Sequence, residues 1–140
     1  MSSEDRTYKI GEVYYIEING TNNEQRGCRP CVIFQNNVGN VYSPNIVALP
    51  LTTALKKTDM PTHIVLPSKE TGLPKDSMVL CENPVCVSKT KIGNYITTLP
   101  NEYMMKIAEG NELLLIRYGE LGLKGKNKSP RQRITFYDLL

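Results

Sequence analysis

Residues 11–18 read GEVYYIEI, and residues 29–35 read RPCVIFQ. Both runs are crowded with β-branched and aromatic side chains, which suit a pleated, half-buried surface, so each predicts a strand. The first runs into Asn19-Gly20. The polar stretch Thr21-Asn22-Asn23-Glu24-Gln25-Arg26-Gly27 that follows predicts a flexible loop. Pro30 has no N–H to give to a ladder, so it is expected at the start of the second strand or on an edge.

Working outward, Asn36–Pro44 holds Asn-Asn, Gly-Asn and Ser-Pro and predicts a turn region. A third strand is expected over Asn45–Leu51, NIVALPL, with Pro50 weakening its late pairing or marking a bulge. Thr52–Pro61 is polar and carries Lys56, Lys57 and Asp59. Shorter strands are expected at Thr62–Leu66, Ser77–Glu82 and Val85–Ser88, with a weaker one at Tyr95–Leu99 and a loop over Pro67–Asp76. Pro100-Asn101-Glu102 opens a helix, with Asn101 as its candidate cap and Tyr103, Met104, Ile107 and Leu114 as its apolar stripe. Gly110-Asn111 weakens the second half of that helix. Six or seven short strands followed by one helix predict a mainly β fold, a small barrel or sandwich with a C-terminal α-helix.

The 140 residues suit one domain, and a hydrophobic share of 40% is too high for a disordered chain. No apolar run approaches the roughly 20 residues that span a bilayer, and MSSEDRTYKI lacks the apolar core of an export signal. With four cysteines, this points to a reducing, cytoplasmic setting. The single histidine excludes two-histidine acid–base catalysis within one chain. Residues 1–116 hold 11 basic and 12 acidic groups, a net of −1, whereas residues 117–140 hold 6 and 2, a net of +4. The basic excess therefore sits in the tail, expected to be a loosely ordered segment over 119–140 behind a domain of 1–118.

Three constellations bear on chemistry. Cys28-Arg29-Pro30-Cys31 forms a CxxC, with Cys81 and Cys86 further on. Four thiolates suit tetrahedral zinc. However, VIFQ after Cys31 is strand-forming, and positions 28 and 31 of a strand point to opposite faces. No helix start is signalled that would activate a redox thiol. Ordinary buried or edge thiols are the expected state, with no metal. His63, at a strand start without a second His or Cys nearby, is expected to be a structural hydrogen-bonding residue. The third set is polar: Glu24, Gln25 and Arg29 lie around the start of strand two, and Thr52 and Thr53 just past strand three. Where such strand ends converge, a guanidinium, hydroxyls and a carboxylate suit a phosphodiester.

These residues also carry a resemblance. Gly11-Glu12-Val13-Tyr14-Tyr15 resembles the opening strand of the MazF/PemK toxin endoribonucleases. Glu24–Pro30 followed by Cys31-Val32-Ile33-Phe34-Gln35-Asn36 is similar to that family's Gly-x-Arg-Pro turn and apolar strand. Ser43-Pro44, Pro61-Thr62-His63-Ile64, Asp76–Glu82 and Leu99 leading into Glu102-Tyr103-Met104 follow in order, so the likeness covers about residues 10–116.

The resemblance implies an SH3-like β-barrel of the CcdB/MazF type with a C-terminal helix, working as a homodimer in the cytoplasm. It implies sequence-specific, metal-independent cleavage of single-stranded mRNA, leaving 2′,3′-cyclic phosphate and 5′-hydroxyl ends, with no cofactor and with an antitoxin protein as neutralising partner. The family's catalytic Arg and Thr fall on Arg29 and Thr52. Glu24 is the candidate general base. The RNA contacts carried over are Gln25, Asn36, Lys56, Met60, Ser77 and Asn83. Amides such as Gln25 and Asn83 suit the edges of unstacked bases. Lys89 and Lys91 are candidates for phosphate contact or for a solvated face. Where the family usually continues Gln-Ile/Val-Arg-Thr after its acidic position, this chain reads Asn83-Pro84-Val85-Cys86, so Val85 stands in place of an Arg. The alternative is a non-catalytic member of the fold that binds RNA or poisons DNA gyrase. In the tail, LIRYGELGLKGK over Leu115–Lys126 also resembles a short segment of tRNA 4-thiouridine sulfurtransferases, with no catalytic domain behind it.

Overall fold

Continuous apolar runs such as CVIF and IVALPL lack the alternation of a half-buried strand, and the fold shows why: the strands that carry them are covered on both faces. The computed structural model describes residues 7–18 and 27–113. Within them lie β1 (Glu12–Ile18), β2 (Gly27–Ile33), α1 (Asn37–Tyr42), β3 (Asn45–Thr52), β4 (His63–Leu66), α2 (Ser68–Thr71), β5 (Ser77–Leu80), β6 (Val85–Ser88), a 3₁₀ turn (Lys89–Lys91), β7 (Ile92–Thr98) and α3 (Asn101–Glu112). The strands form one antiparallel sheet in the order β4-β5-β3-β2-β1-β7, with β6 also paired to β3.

Facing pairs such as Val32↔Leu49 and Ile33↔Ala48 align β2 with β3, and alternate residues then serve two cores. Val13, Val32, Leu49, Leu51 and Val79 pack on one side with Tyr103, Met104 and Ile107 of α3. Tyr8, Tyr14, Ile16, Cys31, Ile33, Ile46 and Ala48 pack on the other. Each buried large aliphatic contributes roughly 1.5–3 kcal/mol relative to exposure.

Pro30 lies inside β2, an inner strand, rather than at its start or on an edge. It is accommodated because the β2–β3 ladder runs only from Cys31 to Ile33, so β2 is one-sided at the proline. Pro50 marks the place where β3 changes partner. Asn45–Ala48 pair with β6 and Leu51–Thr52 with β5, and the proline falls in the gap.

Two expected loops contain short helices. In the first, Asn36 caps α1 by accepting from Gly39 N–H at 2.9 Å. The buried Asn40 ties α1 down, donating to the Gln35 carbonyl at 2.9 Å. The second is α2, which ends at Gly72 in the left-handed region, φ 78°. Pro100, not Asn101, occupies the position before α3, and no side chain caps that end. Gly110 does not end the helix. A Cβ there would stand 3.1 Å from both Cys81 Sγ and the Pro61 carbonyl, so the glycine permits a close approach.

Candidate active site

The β2–β3 ladder ends at Cys31↔Pro50, and Arg29 and Thr52 lie two residues beyond that last pair, one on each strand. The β3–β5 register, Thr52↔Met78, carried one step sets Thr53 opposite Ser77. At these strand ends lies a cavity of about 190 Å³, lined by Arg29, Pro30, Leu51, Thr52, Thr53 and Ser77. Pro30 and Leu51 supply its apolar wall and stiffen it.

Arg29 is half-buried, and among the described residues its guanidinium has neither a hydrogen bond nor an ion pair. A guanidinium stays charged at any physiological pH, and its planar fork grips two phosphate oxygens at once. Thr52 Oγ1 accepts from Ala54 N–H at 3.1 Å, which leaves its hydroxyl hydrogen for a ligand. Ser77 is buried and donates to the Lys75 carbonyl at 2.9 Å. An unpaired cation beside a hydroxyl in a small cleft is a site for an anion.

The other expected site residues are placed differently. Lys56 and Met60 are exposed on the loop that leaves Thr52, and Asn83 is exposed in the turn between β5 and β6, outside the cavity lining. Asn36 lies beyond the far end of β2 and is engaged in capping α1. Glu24 and Gln25 fall outside the described residues, as does the tail over 119–140. Lys89 donates to the Val41 carbonyl at 3.4 Å, and Lys91 pairs with Glu17 at 3.5 Å.

Cys28 is exposed and Cys31 buried, on opposite sides of β2 as strand alternation requires. Burial pushes the Cys31 thiol up to about 12, against the pull of the Arg29 charge. Burial, aided by the Glu82 carboxylate, does the same to Cys81, again to about 12. These two sulfurs stay protonated and inert. Among the described residues, no three His, Cys, Asp or Glu side chains group to hold a metal ion.

His63 is structural in its contacts, as expected. Its ring nitrogens lie 3.0 Å from the Lys57 carbonyl and 2.7 Å from Glu82 Oε2. Burial works to lower its pKa, but the hydrogen bond to the Glu82 carboxylate, the backbone carbonyls of Lys57 and Lys56 and the Glu82 charge outweigh it and raise the value above 6.5. The pairing with Glu82, 19 residues away, has no signature in the sequence.

The model of the PemK-like, MazF-like toxins of type II toxin–antitoxin systems matches residues 9–115. The chain belongs to this family. As a PemK-like, MazF-like toxin it is 32% identical over 108 residues to endoribonuclease EndoA of Bacillus subtilis (strain 168), covering 76% of this chain and 93% of that relative. It is 32% identical over 106 residues to endoribonuclease MazF of Staphylococcus epidermidis, covering 75% and 88%. A mycobacterial endoribonuclease solved in complex with its cognate antitoxin superposes with a TM-score of 0.62 at 26% identity, covering 83% of this chain and 96% of that one. MazF from Deinococcus radiodurans superposes with a TM-score of 0.67 at 18% identity, covering 79% and 97%, a likeness of fold. The expected MazF-type β fold with its C-terminal helix is borne out.

Proposed function

We propose that this toxin is a sequence-specific endoribonuclease that cuts single-stranded mRNA at the Arg29–Thr52 cavity. The observation that carries the reading is the Arg29 guanidinium, without a partner among the described residues, lining one cavity of about 190 Å³ with the Thr52 hydroxyl. The names of the relatives, both endoribonucleases, support it.

In this reading the ribose 2′-oxygen bonds to the adjacent phosphorus as the bond to the 5′-oxygen breaks. The products are a 2′,3′-cyclic phosphate and a 5′-hydroxyl. Glu24 takes the 2′-hydroxyl proton, and the departing 5′-oxygen receives a proton from the Arg29 guanidinium, which solvent then reprotonates. Arg29 offsets the charge that builds on the phosphoryl oxygens, the part a divalent cation plays in metal nucleases, so cleavage proceeds without a metal. Thr52 holds the phosphate. Ser77 lines its floor, while Lys56, Met60, Asn83 and Gln25 contact the flanking nucleotides. The chain acts in the cytoplasm as a homodimer and is neutralised by an antitoxin, which the antitoxin-bound mycobacterial relative supports.

Incubation of the chain with a long single-stranded RNA in excess chelator is the test. Wild type is expected to cut, and Arg29→Ala to cut at least about 100-fold more slowly, the cost of losing one preorganised charge donor worth roughly 2.7 kcal/mol. No cleavage by wild type, or full cleavage by Arg29→Ala, overturns the proposal.

A further inference from the structure

Two exposed segments bear the proposed flanking contacts: the loop over 53–62, with Lys56 and Met60, and the turn over 81–84, with Asn83. They are separate in sequence; at their base Cys81 N–H donates to the Thr62 carbonyl at 2.9 Å, and beyond that backbone bond the His63 side chain touches both. His63 reaches the Lys57 carbonyl in the loop at 3.0 Å and Glu82 in the turn at 2.7 Å. We propose that doubly protonated His63 is a positioning residue that clamps these two segments together and thereby sets how tightly the site binds RNA. The proposal rests on the RNA reading above.

The chemistry of the ring carries the argument. Both of its nitrogens face oxygen acceptors. A neutral imidazole offers one N–H and one lone pair, so it satisfies one neighbour and repels the other; only the imidazolium donates to both. The side chain is just 9% exposed, so water does not readily replace a lost partner. Among the described residues, Glu82 Oε1 and Thr62 Oγ1 are buried without hydrogen-bond partners, which leaves the Glu82 carboxylate leaning on the ring for its compensation. The loop also needs holding. Lys57 has φ 52°, a left-handed conformation that is strained for a residue with a Cβ. Its carbonyl accepts from Met60 N–H at 3.1 Å as well as from the ring, and His63 N–H in turn donates to the Met60 carbonyl at 2.9 Å. From there the turn runs back through Lys56 N–H, which donates to the Ala54 carbonyl at 3.0 Å, to Ala54 N–H on Thr52 Oγ1. The clamp is thus continuous with a site residue.

The surroundings favour the charged ring. Among the described residues Glu82 supplies the opposing charge, the loop supplies carbonyls from Lys56 and Lys57, and β5 sets Leu80 opposite. Lys106, Glu109 and Glu112 of α3 lie against Pro61 and Ile64, and Ile64 points to the other face of β4. The folded-state value of His63 is raised, so the clamp is complete below the free value of 6.5 and is lost as pH climbs through the higher folded value.

The test uses the full, untagged chain, whose single histidine gives one imidazole resonance to follow by proton NMR. The resonance is expected to titrate above 6.5, and the amide protection of Lys57–Met60 to fall over the same interval. Binding is read by fluorescence anisotropy with a short, uncleavable 2′-O-methyl RNA of mixed sequence. Wild-type affinity is expected to drop about tenfold more between about pH 6 and about pH 9 than that of His63→Gln, which lacks the titrating group. Glu82→Gln is expected to lower the imidazole titration midpoint. A wild-type midpoint at or below the free value, or a shared pH profile for wild type and His63→Gln, overturns the clamp. Both NMR and exchange need no RNA, so a failure of the clamp and a failure of the ribonuclease reading are separately visible.

Discussion

Replacing Thr52 with Val keeps the β-branched shape and removes one hydroxyl, so it isolates the role assigned to that oxygen. In the folded chain Thr52 Oγ1 accepts from Ala54 N–H at 3.1 Å, and Ala54 is exposed, so water takes over that donor when the hydroxyl is gone. A neutral hydrogen bond is worth about 0.5–1.5 kcal/mol net, and the stability cost should fall at the bottom of that range. The effect on cleavage should be larger. A hydroxyl donating to an anionic phosphate contributes about 1.5–3 kcal/mol, which corresponds to a rate loss of roughly 10- to 150-fold.

Arg29 and Thr52 line one cavity, and the proposed mechanism has them hold the same phosphate. Their losses should not multiply. In a double-mutant cycle, Arg29→Ala combined with Thr52→Val should show a coupling of about 0.5–3 kcal/mol. The assay is single-turnover cleavage of a defined transcript by wild type, both single variants and the double variant, with a thermal melt of each to confirm folding. A Thr52→Val chain that cuts at the wild-type rate, or a double variant whose losses multiply in full, refutes the shared grip.

Two further outcomes follow from packing. Cys28 and Cys86 are exposed while Cys31 and Cys81 are buried, and burial holds both of the latter near 12. A water-soluble disulfide reagent should therefore modify two thiols quickly in the native chain and four after denaturation; fast reaction of all four under native conditions would contradict the two-sided burial of β2. Gly72→Ala should lower stability by about 2 kcal/mol, since it adds left-handed strain to a Cβ placed 2.7 Å from Thr97 Oγ1, and a denaturation midpoint equal to wild type would show that Thr97 yields freely.

The amino-acid sequence by itself placed most of the strands and the C-terminal helix. Strand propensity and helical spacing are local properties, and GEVYYIEI or VCVS carries them within a few residues. The family resemblance carried by several short motifs in order implied Arg29 and Thr52 as a pair. Short-range cues misled where tertiary contacts dominate. The six-residue α1 exists through the Asn36 cap and the buried Asn40, and Pro30 fits an inner strand because the neighbouring ladder stops beside it. What only the tertiary structure decided is the pairing of segments far apart in the chain. The pairing of β2 with β3 brings Arg29 and Thr52, just beyond the ladder's end, to one cavity. The fork of β3 at Pro50 brings Ser77 to the same cavity, and the β4–β5 hairpin delivers His63 to Glu82. Such pairings depend on which faces bury together when the chain closes, a property of the whole sheet that no single stretch of residues encodes.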